Sequence, residues 1–170
     1  HTDLFVLYRD RPQVYTNRHS TETVQGQLRR VDDLPRAGRL HYGVEGLYDR
    51  IDSNNLGQHE RGRGAAYAAY DIRALHRFSF TAGAREEIYS RGQRQFNPSA
   101  GAGYGLTQRL KLRASASRAY RLPTYTDLYY RDPANVGNPS LRPGGAWSYE
   151  GGLDWSARGG GGAGRLVSER

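Results

Sequence analysis

One stretch of the sequence decides the fold: Trp147-Ser148-Tyr149-Glu150-Gly151-Gly152-Leu153-Asp154-Trp155. Large apolar and polar side chains alternate along it, with an interruption only at the two glycines. One face carries Trp147, Tyr149, Leu153 and Trp155, and the other carries Ser148, Glu150 and Asp154. Alternation with a period of two predicts a β-strand that has one apolar face.

Similar alternation occurs along most of the chain. The clearest upstream example is 109–119, in which Leu110 and Leu112 alternate with Lys111 and Arg113. Further strands are predicted at 2–9, 21–30, 40–49, 70–74, 78–85 and 102–106. Helical periodicity is hard to find, so the sequence predicts an all-β chain of about eight antiparallel strands.

The predicted connections between these strands differ in length in an ordered way. Long connections are expected near 10–20, 50–61 and 121–145, and an intermediate one near 89–98. Shorter ones are expected near 31–38, 75–76 and 107–108, and the run Gly159–Gly162 is expected to form a flexible turn. Long loops therefore fall at one end of the sheet and short turns at the other, which is typical of outer-membrane β-barrels.

The spacing of the aromatic residues supports a transmembrane β-barrel. Trp147 and Trp155 share a face eight residues apart, and eight residues of strand extend roughly 26 Å. A tilt of roughly 40° reduces this to about 20 Å along the membrane normal, near the height of the apolar band of such barrels. We expect the aromatic girdles to contain Trp147, Tyr149, Trp155, Tyr48 and Phe78.

The chain is basic, with a formal net charge of +8 and a mean hydropathy of −0.83. The positive charge is almost all arginine and is spread along the chain, which does not favour nucleic acid as a partner. A barrel accounts for it better, because Lys111 and Arg113 then face a wet lumen. On the lipid face each would cost about 2–4 kcal/mol near the midplane.

The sequence carries no pattern typical of catalysis or cofactor binding. It has no Cys, which excludes a disulfide, a thiolate metal site and a cysteine nucleophile. Its five His are scattered, and no G-x-S-x-G elbow occurs. Glu86 and Glu87 are adjacent, and adjacent side chains of a strand point to opposite faces. We therefore expect neither an enzyme nor a cofactor.

Three linked motifs resemble those of TonB-dependent outer-membrane receptors. Residues 117–130, SRAYRLPTYTDLYY, are similar to the family's strand-to-loop passage S-R-x-F/Y-R-x-P-T-x-x-x-L-Y. Residues 137–143, GNPSLRP, are similar to its G-N-P-x-L-x-P loop, and residues 147–155 to its W-S-Y-E-x-G-L-E/D-W strand. One departure is Gly144, which stands where the family usually has Glu.

The resemblance implies that residues 1–170 are part of the barrel domain of such a receptor, about eight strands of a larger barrel. The plug domain, the TonB box and the C-terminal strands are expected to lie outside this sequence. The family takes up scarce nutrients across the outer membrane of Gram-negative bacteria, and the likeness leans toward the cobalamin and siderophore type. The implied partners are outer-membrane lipid, a small nutrient ligand and, through the plug region, the TonB complex.

Two other interpretations of the sequence stay open. One is a small self-contained eight-stranded outer-membrane barrel with an adhesin or structural role, which predicts pairing of the first and last strands. The other is a soluble β-sheet binding module, which predicts a product that needs no detergent.

The candidate ligand-facing residues lie at the long predicted loop: Arg118, Arg121, Tyr125, Tyr129, Tyr130, Asn135 and Asn138. For the arginines, the alternative is a structural role in the family motif. For the tyrosines, whose rings offer amphipathic contact area, the alternative is loop packing or a girdle. A calcium site is also considered at Asp49, Asp52 and Asn54, because oxygen ligands cluster there in a predicted loop.

Overall fold

A computed structural model of the chain describes residues 1–6, 9–13, 16–34, 38–90, 92–132, 134–157 and 160–169. These residues form one antiparallel sheet of nine strands, in which every strand pairs with its neighbours in sequence. The strands are β1 (Thr2–Val6), β2 (Thr16–Leu34), β3 (Gly38–Ser53), β4 (Gly57–Leu75), β5 (Phe78–Tyr89), β6 (Arg94–Gly105), β7 (Leu110–Arg121), β8 (Gly144–Ala157) and β9 (Gly160–Glu169).

A single short helix, α1 (Tyr125–Tyr129), lies between β7 and β8 in the part of the chain that the structure describes. No helix among the described residues is both long and apolar enough to cross a bilayer.

The two faces of the sheet differ in chemistry along whole rows of paired residues. One row is apolar across six strands: Leu40, Tyr70, Ala82, Ala100, Ala116 and Tyr149. The adjacent row on the other face is small or polar: His41, Ala69, Gly83, Ser99, Ser117 and Ser148. We call these the apolar face and the polar face. The period-two alternation of the sequence is therefore confirmed, since each strand contributes both kinds of residue.

No second layer packs on this sheet within the described residues. None of their large side chains is fully buried, and Leu28, on the apolar face, is 76% exposed. A soluble domain usually buries the apolar face of a sheet against another layer. The uncovered apolar face therefore argues against the soluble binding module. The all-β fold class is confirmed.

Lys111 and Arg113 of β7 lie on the polar face, as predicted. Arg113 forms an ion pair with Asp154 of β8 at 3.1 Å. The side chain of Lys111 lies beside Gly103 and Ser79, which also belong to the polar face. Leu112 lies on the apolar face, where it pairs with Leu153.

The connections at the two ends of the sheet differ less consistently in length than predicted. At the loop end, where each odd-numbered strand leads to the next, the connections span 7–15, 54–56, 90–93 and 122–143. At the turn end they span 76–77 and 106–109, while residues 35–37 and 158–159 lie outside the described part of the chain. The prediction of a long loop at 50–61 was wrong, because β3 and β4 stay paired as far as Ser53 and Gly57. The connection near 89–98 is likewise shorter than predicted.

The structure has a ninth strand that the sequence interpretation lacked. Gly160, Gly161 and Gly162 belong to β9 and pair with β8, so the prediction of a flexible turn was wrong for these three residues; Gly159 lies outside the described residues. Glycine weakens a strand but keeps the N–H and C=O groups that make the ladder. In the described part of the chain, β1 and β9 lie at opposite edges of the sheet and do not pair. This contradicts a closed eight-stranded barrel.

Candidate functional site

The loop 122–143, which joins β7 to β8, begins with a capped helical turn. The backbone N–H of Asp127 donates to Oγ1 of Thr124 at 3.1 Å, and the backbone N–H of Thr124 donates to Oδ2 of Asp127 at 2.9 Å. This reciprocal pair is a capping box. The hydrogen bonds from Thr124 lower the pKa of the Asp127 carboxyl below its ordinary value. Arg121 adds an ion pair with Asp127 at 3.3 Å.

The helix lies against the paired ends of β3 and β4. The hydroxyl of Tyr125 donates to Oδ1 of Asp49 at 2.5 Å, and Arg61 holds the other carboxylate oxygen of Asp49 at 3.0 Å. The Arg61 guanidinium also lies 5.0 Å from the centroid of the Tyr125 ring and donates to the carbonyl of Pro123. Burial and the hydrogen bond to Asp49 raise the pKa of the Tyr125 hydroxyl, which therefore remains a donor.

A second contact of the loop is a stacked aromatic pair. The rings of His59 and Tyr129 lie parallel, with centroids 3.5 Å apart and an interplanar angle of 6°. Nε2 of His59 is bound to the carbonyl of Leu56 at 2.7 Å, which fixes the imidazole against the short connection between β3 and β4. Tyr125 and Tyr129 are thus half-buried packing residues of the docked loop, which favours the loop-packing alternative for these two.

The distal half of the loop is held by backbone hydrogen bonds. The N–H of Gly137 donates to the carbonyl of Tyr130 at 2.7 Å, and the N–H of Asn138 donates to the carbonyl of Asp127 at 3.0 Å. A Cβ atom at Gly137 would lie 2.8 Å from the backbone of Leu128 and Tyr129. The distal half therefore packs directly on the helix at a point that only glycine fits.

The two asparagines of the candidate set shape this distal half. The side-chain amide of Asn135 and its backbone N–H both bind the carboxylate of Asp132, and these hydrogen bonds lower the pKa of Asp132. The side-chain oxygen of Asn138 accepts from the N–H of Ser140 at 2.9 Å. Tyr130 is half-buried and also hydrogen-bonds to Asp132.

Below the loop, a buried carboxylate gathers residues from three strands. Glu87 is 4% exposed and lies on the polar face of β5. Arg85 binds Oε1 at 2.5 Å, Arg63 lies 3.7 Å from Oε2, and Tyr89 donates to Oε2 at 2.8 Å. The hydroxyl of Tyr120, on β7, also donates to Oε2. Because Glu86 pairs with Phe96 on the apolar face, the two adjacent glutamates do face opposite ways.

The end of β7 departs from simple alternation. The ladder between β6 and β7 stops at Ser99 and Ser117, next to Pro98, which has no N–H to donate. Alternation would place Arg118 and Tyr120 on the apolar face. Instead, Tyr120 reaches Glu87, and Arg118 binds the backbone carbonyl of Phe96 and the side-chain oxygen of Gln95.

These side chains line an open recess of about 500 Å³ on the polar face, which we call the arginine recess. It is lined by Arg63, Arg85, Glu87, Asn97, Arg118, Ala119, Tyr120, Arg121 and Leu122. Four arginines thus line the recess; Arg85 and Arg63 bind its carboxylate, Glu87, while Arg121 pairs with Asp127. The described hydrogen bonds of Arg118 go to neutral acceptors, so its charge is available to an anion. Guanidinium groups bind carboxylate, phosphate and similar anions well.

The structure brings only some of the predicted site residues together. Arg118 and Arg121 line the recess, whereas Tyr125 and Tyr129 lie in the docked loop beside it. Sequence reasoning missed His59, Arg61 and Glu87, because nothing local marks three polar residues of distant strands as neighbours of this loop. It also missed α1, although Thr124 followed three residues later by Asp127 is a readable capping signal.

The residues considered for calcium do not converge. Asp49 and Asp52 lie in strand β3, not in a loop, and an odd separation of three residues places them on opposite faces. Asp49 is bound by Arg61 and Tyr125, while Asp52 accepts from the side chain of Gln58. Asn54 binds the backbone of Arg18 and Thr16. Among the described residues, no group of three or more metal-ligating His, Cys, Asp or Glu forms.

The five residues expected in aromatic girdles are all exposed side chains of the sheet: Tyr48, Phe78, Trp147, Tyr149 and Trp155. Tyr48, Phe78, Tyr149 and Trp155 lie on the apolar face by their pairing, with Phe78 against Tyr104 and Trp155 against Leu110. Trp147 stacks on Tyr149. Their placement in a lipid interface stays a prediction.

The fold and this loop end define a portion of a β-barrel wall with a long loop docked over its polar face. The family model described as "TonB dependent receptor-like, beta-barrel" matches residues 2–166. The chain therefore belongs to the TonB-dependent receptor β-barrel family. A comparison with curated proteins finds no match.

Solved structures of siderophore receptors have the same fold. The siderophore receptor PirA of Pseudomonas aeruginosa superposes with a TM-score of 0.71 at 19% identity, over 85% of this chain and 30% of that one. PirA of Acinetobacter baumannii gives a TM-score of 0.67 at 18% identity, over 84% and 26%. A variant of the ferric enterobactin receptor of Pseudomonas aeruginosa, in complex with enterobactin, gives 0.69 at 19% identity, over 91% and 26%. The chain thus spans less than a third of each relative.

Proposed function

We propose that this chain is part of the barrel wall of an outer-membrane receptor that takes up a small anionic nutrient of the siderophore type. The observation that carries the proposal is the arginine recess, which lies on the polar face directly beside the docked loop. In a receptor barrel the polar face is the lumen, so the recess lies on the path of an incoming ligand. Arg118, whose described hydrogen bonds go to neutral acceptors, favours an anionic ligand over a neutral one such as cobalamin.

The remaining partners follow from the family. The apolar face contacts outer-membrane lipid of a Gram-negative bacterium, because a lipid environment is the setting in which an uncovered apolar sheet is stable. Energy comes from the TonB complex, which acts on a plug region and not on these strands. The role is transport, and the arrangement of side chains at the recess serves binding rather than catalysis.

The test is uptake of radioactive iron by a Gram-negative host that lacks its own siderophore receptors and carries the intact receptor. Catecholate and hydroxamate siderophores are compared with labelled cobalamin, with and without TonB. We expect uptake of at least one ferric siderophore, and only when TonB is present. Uptake of cobalamin alone contradicts the siderophore proposal, and absence of uptake for every ligand contradicts the receptor proposal.

A charge variant connects this uptake to the recess. We expect Arg118→Gln to raise the half-saturation concentration about tenfold, since a hydrogen bond to a charged group contributes about 1.5–3 kcal/mol. The matched control is Arg109→Gln, which removes an exposed arginine at the turn end. Equal effects of both variants contradict a role for the recess.

A further inference from the structure

We propose that Glu87 is a positioning residue, which fixes the root of the loop 122–143 beside the arginine recess through the hydroxyl of Tyr120. The consequence for ligand uptake rests on the proposed function. The position of the loop does not, and it is measurable without any ligand.

The first argument is the chemistry of the Glu87 site. A carboxylate this deeply buried is stable only when it is paired and hydrogen-bonded. Arg85, Arg63 and Tyr89 would already satisfy it from β4 and β5. The Tyr120 hydroxyl is the additional partner, and it alone comes from the strand that leads into the loop.

The second argument is the break in the ladder. Residues 118–121 of β7 lie beyond the last pair with β6 and remain paired with β8 alone. The β7–β8 arm that carries the loop is therefore not held sideways by backbone hydrogen bonds at its root. In the described structure, side chains replace them: Tyr120 spans β6 to reach Glu87, and Arg118 binds Gln95 and the backbone of β6.

The third argument is distance along the chain. Tyr125, whose hydroxyl binds Asp49, lies only five positions after Tyr120. A shift of the root displaces the helix from Asp49 and His59 and changes the opening of the recess, which Tyr120 and Arg121 line. Loss of the tie from Glu87 to Tyr120 therefore changes how the ligand enters, while the strands below stay in place.

The experiment measures loop position in the intact receptor in outer membranes. The chain has no Cys, so Ser140→Cys in the loop and Arg94→Cys at the start of β6 supply a spin-label pair once any other cysteine of the receptor is replaced. Double electron–electron resonance gives the distance distribution. We expect Glu87→Gln and Tyr120→Phe each to broaden it, and the double variant to broaden it no further than Tyr120→Phe alone, because that variant removes both the hydrogen bond to Glu87 and the contact with the hydroxyl of Tyr89.

The matched control is Glu45→Gln. Glu45 also binds Arg85, at 2.6 Å on the same face, but has no described contact with β7. We expect this variant to leave the distance distribution unchanged. Equal broadening by Glu45→Gln overturns the proposal, because the cluster then only stabilises the wall. An unchanged distance distribution in Tyr120→Phe also overturns the proposal. If the Glu87→Gln receptor does not insert into the outer membrane, the Tyr120→Phe variant alone decides.

Uptake kinetics separate a positioning role from general damage. We expect Tyr120→Phe to raise the half-saturation concentration about tenfold and to leave the maximal rate unchanged. A fall of the maximal rate alone contradicts the proposal. If the unaltered receptor takes up no siderophore, the proposed function fails, and the distance measurements alone then judge Glu87.

Discussion

The middle of the sheet and its loop end are built by different rules. In the middle, each strand pairs only with its sequence neighbours, and rows such as Ala82, Ala100 and Ala116 repeat the same chemistry from strand to strand. At the loop end, the decisive contacts join residues that are far apart, such as Tyr125 with Asp49, 76 positions away. Contacts in the middle of the sheet are uniform and join neighbouring strands, whereas contacts at the loop end are specific and join residues far apart in sequence.

The difference shows which parts of a barrel wall tolerate substitution and which do not. A uniform apolar row tolerates exchange among apolar residues, because any of them fits a lipid-facing surface. Asp49, Arg61 and Tyr125 tolerate few substitutions, since each of these side chains forms a hydrogen bond that needs a particular donor or acceptor. Three substitutions and one change of pH test this contrast, from the largest expected effect to the smallest.

The largest effect is expected from a charge in the apolar row. Ala100→Arg places a guanidinium between Ala82 and Ala116 and should lower the free energy of unfolding by about 2–4 kcal/mol. The measurement is reversible denaturation of the receptor in lipid vesicles. The control is Ser99→Arg, one residue away on the polar face, for which we expect a much smaller loss. Equal losses would mean that the two faces do not meet different surroundings.

The next effect is expected at the close approach of Gly137. Gly137→Ala forces a Cβ against the backbone of Leu128 and Tyr129, and such overpacking costs about 1–3 kcal/mol. We expect faster hydrogen exchange at the amides of Tyr130 and Asn138, with unfolding of the barrel unchanged. Gly144→Ala is the control, because a Cβ there meets nothing within 4 Å. If exchange in Gly137→Ala is as slow as in the unaltered receptor, the helix shifts to accept the added Cβ at little cost, which contradicts this prediction.

A smaller effect is expected when the hydroxyl between loop and strand is removed. Tyr125→Phe keeps the ring over Arg61 but takes one donor from Asp49, and a hydrogen bond to a charged group contributes about 1.5 kcal/mol or more. Protease cleavage within 122–143 should become about tenfold faster. Tyr149→Phe, on the apolar face, should leave the cleavage rate unchanged. A cleavage rate unaltered by Tyr125→Phe contradicts docking through Asp49.

The smallest effect is expected from acid. The pKa of Asp127 is lowered in the folded loop, chiefly by hydrogen bonds from Thr124. Its stabilising contribution is therefore complete above the ordinary carboxyl pKa of about 3.9 and is lost as the pH falls through the lower folded value. Hydrogen exchange of the α1 amides, corrected for intrinsic rates, should rise only below this pH. In Asp127→Asn that step should disappear, while Asp52→Asn should keep it.

Much of the sheet was predictable because alternation is a local signal. Strands β5, β7 and β8 were placed from side-chain order alone, and both exposed tryptophans were predicted on β8. β4 was found only in its last part, because small residues occupy both faces of 62–69, so that Ala65 and Ala66 look alike in sequence. The ends of β3 and β4 were interpreted as a loop, because both faces are polar there.

The site was less predictable than the sheet. The motif around Arg118 and Tyr125 drew attention to the loop 122–143, but its partners Arg61 and Glu87 are given by the pairing of distant strands. The turn of Arg118 and Tyr120 toward the polar face also follows from a non-local event, the end of the ladder beside Pro98. Local patterns place the residues on strands, and only the assembled sheet decides which of them meet.

The neighbour-only pairing of the sheet also sets an order of assembly. Each hairpin closes a short segment of chain, so the strands can pair one after another at a low cost in loop-closure entropy. The contact of Tyr125 with Asp49 bridges β3 and the loop that follows β7, so we expect it to form only after the strands from β3 to β7 are in register. The hydrogen bond between this hydroxyl and this carboxylate therefore reports that the central strands of the wall have paired.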